Sequence, residues 1–124
     1  MPPETLSLKV SRSAAILFLP AWAGVVGGEL GKGGPGFNIW DKMLHFSAYF
    51  ILAGLAATAL RSRRAALWAV LGLIAMGGIL EIVQGFIGRD CDIHDEYANT
   101  LGAIAGALVG RAIMALLVRT KSEG

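Results

Sequence analysis

The sequence predicts an all-α membrane protein, a polytopic bundle of four transmembrane helices. Of the 124 residues, 55% are hydrophobic and 16% are charged, whereas soluble domains average about 45–50% apolar and about 25% charged residues. The mean hydropathy is +0.61. The apolar residues form four runs, each near the length of about 20 residues that a helix needs to cross a bilayer. No run shows the alternation of a strand.

The first run is predicted at 13–30 and is the weakest of the four. Pro20 interrupts it and glycines end it, and a proline inside a helix removes a backbone hydrogen bond. Lys9 and Arg12, followed by an apolar run and Ala21-Trp22-Ala23, also resemble a secretory signal with a cleavage site. Three further spans follow, so an uncleaved first helix is the preferred interpretation.

The other three runs are predicted at 43–60, 65–87 and 97–118. Asp41 precedes the second run and is interpreted as its N-cap. Asp92 or Asp95 lies near the start of the fourth run, where a negative charge suits the helix dipole. The motif-bearing part of the transmembrane domain extends over about 39–109.

The basic residues predict how the chain crosses the membrane. Seven flank the spans on one side: Lys9, Arg12, Arg61, Arg63, Arg64, Arg119 and Lys121. Three fall on the other: Lys32, Lys42 and Arg89. Loops rich in Lys and Arg stay in the cytoplasm, which predicts a bacterial inner-membrane protein with both termini inside and the acidic loop 89–96 outside. Residues 1–12 and 119–124 would be cytoplasmic and 13–118 the transmembrane domain. Nucleic-acid binding is excluded, because the basic residues form no stripe.

Glu81 lies about two turns inside the third span. A carboxylate at that depth costs roughly 2.5–3.5 kcal/mol on insertion scales, so it needs a partner or a function. The other polar residues of the spans fall at the same end of the predicted helices: Asp41, Lys42, His45, Tyr49, Gln84, Arg89, Asp95 and Asn99. Helical projection turns them toward one another. We therefore expect a polar pocket that opens to the outer surface.

Three glycines of the fourth span share a face with Asp95 and Asn99: Gly102, Gly106 and Gly110. Small residues at this spacing let helices approach closely in a membrane. The stripe is interpreted as a packing surface, either within the bundle or between copies in a homo-oligomer.

At these residues the chain resembles the VanZ-like family of small bacterial membrane proteins, named for a teicoplanin-resistance protein. The pattern is Asp41-Lys42-x-x-His45-Phe46-x-x-Tyr49, then Glu81-x-x-Gln84-x-Phe86, then Arg89, Asp95, Asn99, Gly102 and Gly106. One departure is Ile87-Gly88, where members commonly carry a proline. The resemblance implies an integral protein of the cell envelope and, for the founding member, low-level glycopeptide resistance. It implies no reaction.

We expect the pocket to bind a lipid-linked or peptide ligand of the envelope. The expected roles are Glu81 and Asp95 as central carboxylates, His45 as their partner, Gln84 and Asn99 as orienting amides, and Lys42 and Arg89 as a cationic rim. One alternative is a membrane enzyme that uses carboxylate and His acid–base chemistry on a lipid-linked envelope intermediate. A purely structural hydrogen-bond network and a small transporter are the others. The bilayer is the expected surrounding, and neither a metal nor a cofactor is expected, since no metal-ligand spacing such as HExxH is present.

Overall fold

The computed structural model describes residues 5–31, 39–88 and 92–119, together with the backbone of 120–123. Its helices are α1 (Leu6–Leu30), α2 (Ile39–Ala59), α3 (Arg63–Phe86) and α4 (Ile93–Glu123). Each contains a segment that is long and apolar enough to cross a membrane. The predicted all-α fold with four spans is therefore confirmed.

Helix α1 differs from its prediction at its start and at Pro20. It begins at Leu6 rather than at residue 13, because the Thr5 hydroxyl accepts the Leu8 backbone N–H and caps the first turn. The helix also continues through Pro20, so the expected interruption was wrong. Proline removes one donor but leaves most of the backbone bonds intact. A bilayer favours the continuous helix, because unpaired backbone groups are costly there.

Helices α2 and α4 begin earlier than predicted, at residue 39 rather than 43 and at residue 93 rather than 97. Asp41 is therefore in the first turn of α2, and its predicted position as the N-cap was wrong. Within that turn it faces His45, which is one turn further along the helix. Asp92 precedes α4, and its side chain accepts the His94 backbone N–H at 2.9 Å, as a capping residue does.

The chain turns directly after the end of α3. The helix ends at Phe86, and Gly88 follows with a φ of 87°. Side chains with a Cβ rarely adopt this backbone conformation, whereas glycine adopts it readily. Gly88 therefore lets the chain turn between α3 and the residues that precede α4.

Helix α2 packs most extensively against α4, and glycines make this contact close. A methyl group added at Gly102 or Gly106 would overlap backbone atoms of α2. One added at Gly110 would lie 2.7 Å from the Gly54 carbonyl oxygen. The stripe is therefore buried within a single chain. The alternative in which the stripe joins two copies gains no support from this packing, and a homo-oligomer stays a prediction.

Polar contacts at one end of the bundle hold α2 to α1 and α4. The Ser11 hydroxyl donates to the Ala59 carbonyl oxygen at 2.9 Å. The Arg111 guanidinium donates to the carbonyl oxygens of Leu60 and Arg61 at 3.4 and 3.3 Å. These bonds satisfy carbonyl groups that the end of α2 would otherwise leave unpaired. The predicted polar residues lie at the opposite end.

The apolar core between the two ends is small. It consists of Tyr49, Leu52, Ala53, Val70, Leu73 and Ala103. Large apolar side chains also cover the outside of the bundle: Trp40 is 68% exposed, Trp68 67% and Phe86 86%. A water-soluble protein would bury most of these side chains. An exterior of this kind is suited to contact with lipid.

Candidate functional site

Buried polar side chains gather at the end of the bundle that is opposite Arg111. All four helices contribute, and six of these residues are 9% exposed or less: Glu29, His45, Glu81, Gln84, Asp95 and Asn99. We refer to these six residues as the polar cluster. Burial of polar groups is costly unless they are hydrogen-bonded or paired, and the members of the cluster meet this requirement with contacts between helices.

His45 is at the centre of the polar cluster and is 7% exposed. Its Nδ1–H donates to Asn99 Oδ1 at 2.9 Å and also lies 3.3 Å from Glu29 Oε1. The Nε2 atom faces the other way, 3.6 Å from Asp95 Oδ2 and 3.7 Å from Asp41 Oδ2. Oxygen atoms from α1, α2 and α4 therefore surround the imidazole and hold it in one orientation.

Lys42 joins α2 to the start of α4. Its ammonium group donates to Asp92 Oδ2 at 2.6 Å and to Asp95 Oδ1, and it lies 3.8 Å from Asp41 Oδ2. These carboxylates already balance its charge, and the expected role of Lys42 in a cationic rim stays a prediction. Arg89, the other residue of that rim, lies outside the described residues, and its role stays a prediction.

Asp92 lies just outside the membrane-spanning helices. Lys42 donates to one of its oxygens, and the His94 backbone N–H and Nδ1 lie 2.9 Å from the other. The hydrogen bond from Lys42, together with those from His94, holds the pKa of the Asp92 carboxyl well below its ordinary range. Asp92 therefore carries a negative charge at neutral pH and fixes the position of Lys42.

Glu29 was not predicted from the sequence. It is in the last turn of α1, where its Oε2 accepts the Tyr49 hydroxyl at 3.2 Å and its backbone carbonyl oxygen accepts Gln84 Nε2 at 2.5 Å. Tyr49 and Gln84, both predicted, thus connect α2 and α3 to α1. The available signal was a single carboxylate one residue before the predicted end of a span. At such a position exposure to water is the simpler expectation.

Glu81 connects α3 to the start of α4. Its Oε2 accepts the Asp92 backbone N–H at 3.0 Å, and the residue is 5% exposed. The carboxylate is thus turned into the bundle rather than toward acyl chains. Its orientation into the bundle agrees with the facing expected from the sequence.

Gly77 gives the polar side chains of α4 the space to approach α3. A methyl group there would lie 2.7 Å from Glu96 Oε2, 2.9 Å from Asn99 Nδ2 and 3.2 Å from the Tyr49 hydroxyl. Glu96 was not assigned to the site from the sequence, although its Oε2 lies 3.5 Å from Asn99 Nδ2. The packing of the polar cluster therefore depends on the absence of a side chain at Gly77.

Three donor atoms at this end have a spacing that suits a divalent cation. Asp41, His45 and Asp95 each offer one ligand atom, and the three atoms lie within 4.8 Å of one another. We refer to these residues as the Asp–His–Asp group. Imidazole and carboxylate ligands suit several divalent metals. Lys42 already contacts both carboxylates, so a metal bound here would lie beside a positive charge. The expectation of no metal and no cofactor stays a prediction.

A lateral groove of about 520 Å³ separates α1 from α2 and leads to the polar cluster. Glu29, Asp41 and His45 line one end of it, and the rest of its wall is small or apolar, including Gly24 and Ile51. Both of these residues are exposed on the outside of the bundle. The lateral groove therefore connects the polar cluster with the surface that faces lipid.

The family comparison matches this architecture. The model of the VanZ/LLP1 family matches residues 5–116, which include α1 as well as the three helices that carry the sequence pattern. No curated protein and no solved structure shows significant similarity to the chain. Four apolar helices and a family match over most of the chain agree with the resemblance found in the sequence, and the chain belongs to the VanZ/LLP1 family.

Proposed function

We propose that the protein binds an envelope-related ligand at the polar cluster, and that this binding changes susceptibility to glycopeptides such as teicoplanin. One observation carries the proposal: side chains from all four helices are buried around His45, at the point where the lateral groove meets the cluster. Ionisable residues inside membrane spans commonly mark a ligand or ion site. An opening toward lipid gives a ligand access to them.

A purely structural role explains this arrangement less well. Hydrogen bonds between transmembrane helices contribute about 0.6 kcal/mol on average and at most about 1.7 kcal/mol. A carboxylate at the centre of a membrane-spanning helix costs roughly 2.5–3.5 kcal/mol. Glu81 is buried inside α3, and Glu29 and Asp95 are buried nearer the helix ends, where the cost is smaller. Neutral amides would join the helices at a lower cost. The excess of carboxylates therefore favours a ligand.

The orientation of the ligand site is also part of the proposal. The polar cluster lies at the opposite end from a basic segment that comprises Arg61, between α2 and α3, and Arg63 and Arg64, which begin α3. Basic segments of this kind remain in the cytoplasm. We therefore place the polar cluster at the outer face of the bacterial cytoplasmic membrane, where ligands of the cell envelope are available. The proposed effect on glycopeptides is supported only by the name of the family, which resembles that of a teicoplanin-resistance protein.

A membrane enzyme that acts on a lipid-linked envelope intermediate is the second candidate. The observation that favours it is the position of His45 between Asn99 and Glu29 on one side and Asp41 and Asp95 on the other. A histidine held in this way can transfer a proton as a general acid or base. The binding role stands first because none of the residues described around His45 provides an evident nucleophile.

Two conservative substitutions, Glu81→Gln and Asp95→Asn, distinguish these roles. Ser11→Ala is the matched control, because it removes a buried polar contact at the opposite end of the bundle. Three quantities would be measured for each variant: the ligand that copurifies, the thermal stability in detergent, and the teicoplanin susceptibility of a host that expresses the protein.

A binding site predicts loss of the ligand and of the effect on susceptibility in both variants, while the control retains them. An enzyme predicts that the ligand remains bound and turnover is lost. A structural network predicts a fall in thermal stability as the main effect. If both variants keep wild-type ligand retention and susceptibility, the proposal is wrong.

A further inference from the structure

The dimensions of the lateral groove correspond to one leaflet of a bilayer. Glu29 and Asp41 line its polar end, and Ala21 and Ile51 lie at its far end. At a rise of 1.5 Å per residue, the groove extends about 12 Å along α1 and about 15 Å along α2. The hydrocarbon core of a bilayer is about 30 Å thick. A groove of this length, open on the side that faces lipid, suits an acyl chain better than a water-soluble molecule.

The charges at the polar end of the groove select a headgroup. Among the residues that the structure describes, the ionisable side chains that line it are Glu29, Asp41 and His45. Lys42, a cation close to this end among the described residues, donates to Asp92 and Asp95 and lies 3.8 Å from Asp41 Oδ2. Two carboxylates and an imidazole thus face a headgroup from this end. Carboxylates bind ammonium groups through short, charge-assisted hydrogen bonds, whereas they repel an anionic headgroup.

We propose that the lateral groove holds an acyl chain of a membrane lipid whose headgroup carries an ammonium group, and that Glu29 and Asp41 bind this group. The inference rests on the proposed function, since it names the ligand class of that site. The volume of the lateral groove, about 520 Å³, lies within the range of about 300–1,000 Å³ that is typical of ligand sites. In this proposal the acyl chain packs against the apolar wall of the groove, and the ammonium group determines which headgroup is bound.

Glycines along the groove allow a test that leaves the bundle intact. Gly24 and Gly28 line the groove, and nothing lies within 4 Å of a methyl group added at either position. The Cβ atoms of leucines at these positions therefore meet no neighbour, and we expect the rest of each leucine side chain to occupy the groove. Gly27 is on the same helix, has equally open surroundings and does not line the groove. Gly27→Leu is the matched control for the effect of a leucine on α1.

The experiment is native mass spectrometry of the full chain, purified from vesicles that contain phosphatidylethanolamine and phosphatidylglycerol in equal amounts with identical acyl chains. We expect the wild-type protein to retain the ethanolamine lipid over the glycerol lipid by about tenfold, the ratio that one charge-assisted hydrogen bond supplies. The double variant Gly24→Leu/Gly28→Leu should lose both lipids. Gly27→Leu should behave as the wild-type protein.

The headgroup contact is tested separately by Glu29→Gln/Asp41→Asn, which should still retain lipid but without the preference for ethanolamine. Equal retention of the two lipids by the wild-type protein, or unchanged retention by Gly24→Leu/Gly28→Leu, would overturn the inference. If this happens while Asp95→Asn still abolishes the effect on teicoplanin susceptibility, the proposed function survives with a different ligand. If Asp95→Asn also has no effect, both are wrong.

Discussion

Replacing Gly106 by alanine should destabilise the bundle and loosen the polar cluster. The added methyl group would overlap the carbonyl oxygen, the carbonyl carbon and the Cα of Phe50. These are backbone atoms of a helix, so they cannot rotate away as the end of a flexible side chain can. Helices α2 and α4 would have to separate. Their contact also holds His45 against Asn99, so the site should be disturbed with the bundle.

Two effects of opposite sign determine the magnitude. Alanine is favoured over glycine in a helix by about 1 kcal/mol, and this gain is the same wherever the helix has space. Overpacking a close contact costs about 1–3 kcal/mol. Gly72 in α3 provides the matched control, because nothing lies within 4 Å of a methyl group added there. We expect Gly106→Ala to be less stable than Gly72→Ala by about 1–3 kcal/mol.

The assay is reversible unfolding of both variants in the same detergent, followed by tryptophan fluorescence. The difference between their free energies of unfolding isolates the overpacking effect, because the gain in helix propensity cancels. If Gly106→Ala is as stable as Gly72→Ala, the close approach of α2 and α4 is wrong, and the contacts of the site that depend on it lose their basis.

Three further predictions concern the polar end. Asn99→Leu removes the acceptor of His45 Nδ1–H and should lower the free energy of unfolding by about 1–3 kcal/mol; a loss no larger than that of Ser11→Ala would contradict this. Lys42 holds the pKa of Asp92 below its ordinary value, so the carboxylate should stabilise the fold above about pH 4 and lose this effect as the pH falls further. The melting temperature of Asp92→Asn should therefore depend less on acid pH than that of the wild-type protein. Lys42→Met removes the cation beside the Asp–His–Asp group, so Zn²⁺ should raise the melting temperature of this variant more than that of the wild-type protein; equal shifts would refute the idea that the ammonium group competes with a metal.

The sequence predicted much of the polar cluster because helical periodicity and depth restrict where side chains can lie. Glu81 and Asp95 are too polar to face lipid at no cost, and each lies at the same level as His45 and Asn99. Neighbouring helices that cross the same bilayer must then bring these side chains together. The geometry observed around His45 is the result of this restriction. The roles of these residues in binding stay predictions.

Glu29 was not predicted because the signal was local and weak. A carboxylate at the end of an apolar run resembles an ordinary boundary residue. Its burial depends on how closely α1 approaches α2 and α3, and nothing in the first span specifies that approach. The engagement of Lys42 was not predicted for a related reason. The contacts of the ammonium group with Asp92 and Asp95 depend on where α4 begins, and that start was predicted too late.

The predicted helix starts were wrong in one direction, since three of the four helices begin clearly earlier than predicted. The predictions followed apolarity, whereas helices continue into polar residues when a cap or an ion pair satisfies their ends. Thr5 does this for α1 through its hydroxyl group. Pro20 was given too much weight, because the cost of one missing hydrogen bond is smaller than that of interrupting a helix in a membrane.

The most direct test of a ligand site at the polar cluster is to identify what copurifies with the protein from bacterial membranes, by mass spectrometry of the wild-type protein and of His45→Gln. A ligand site predicts that one envelope lipid or lipid-linked precursor is enriched with the wild-type protein and lost from the variant, while the variant still folds. The same molecules in the same amounts with both proteins would contradict it.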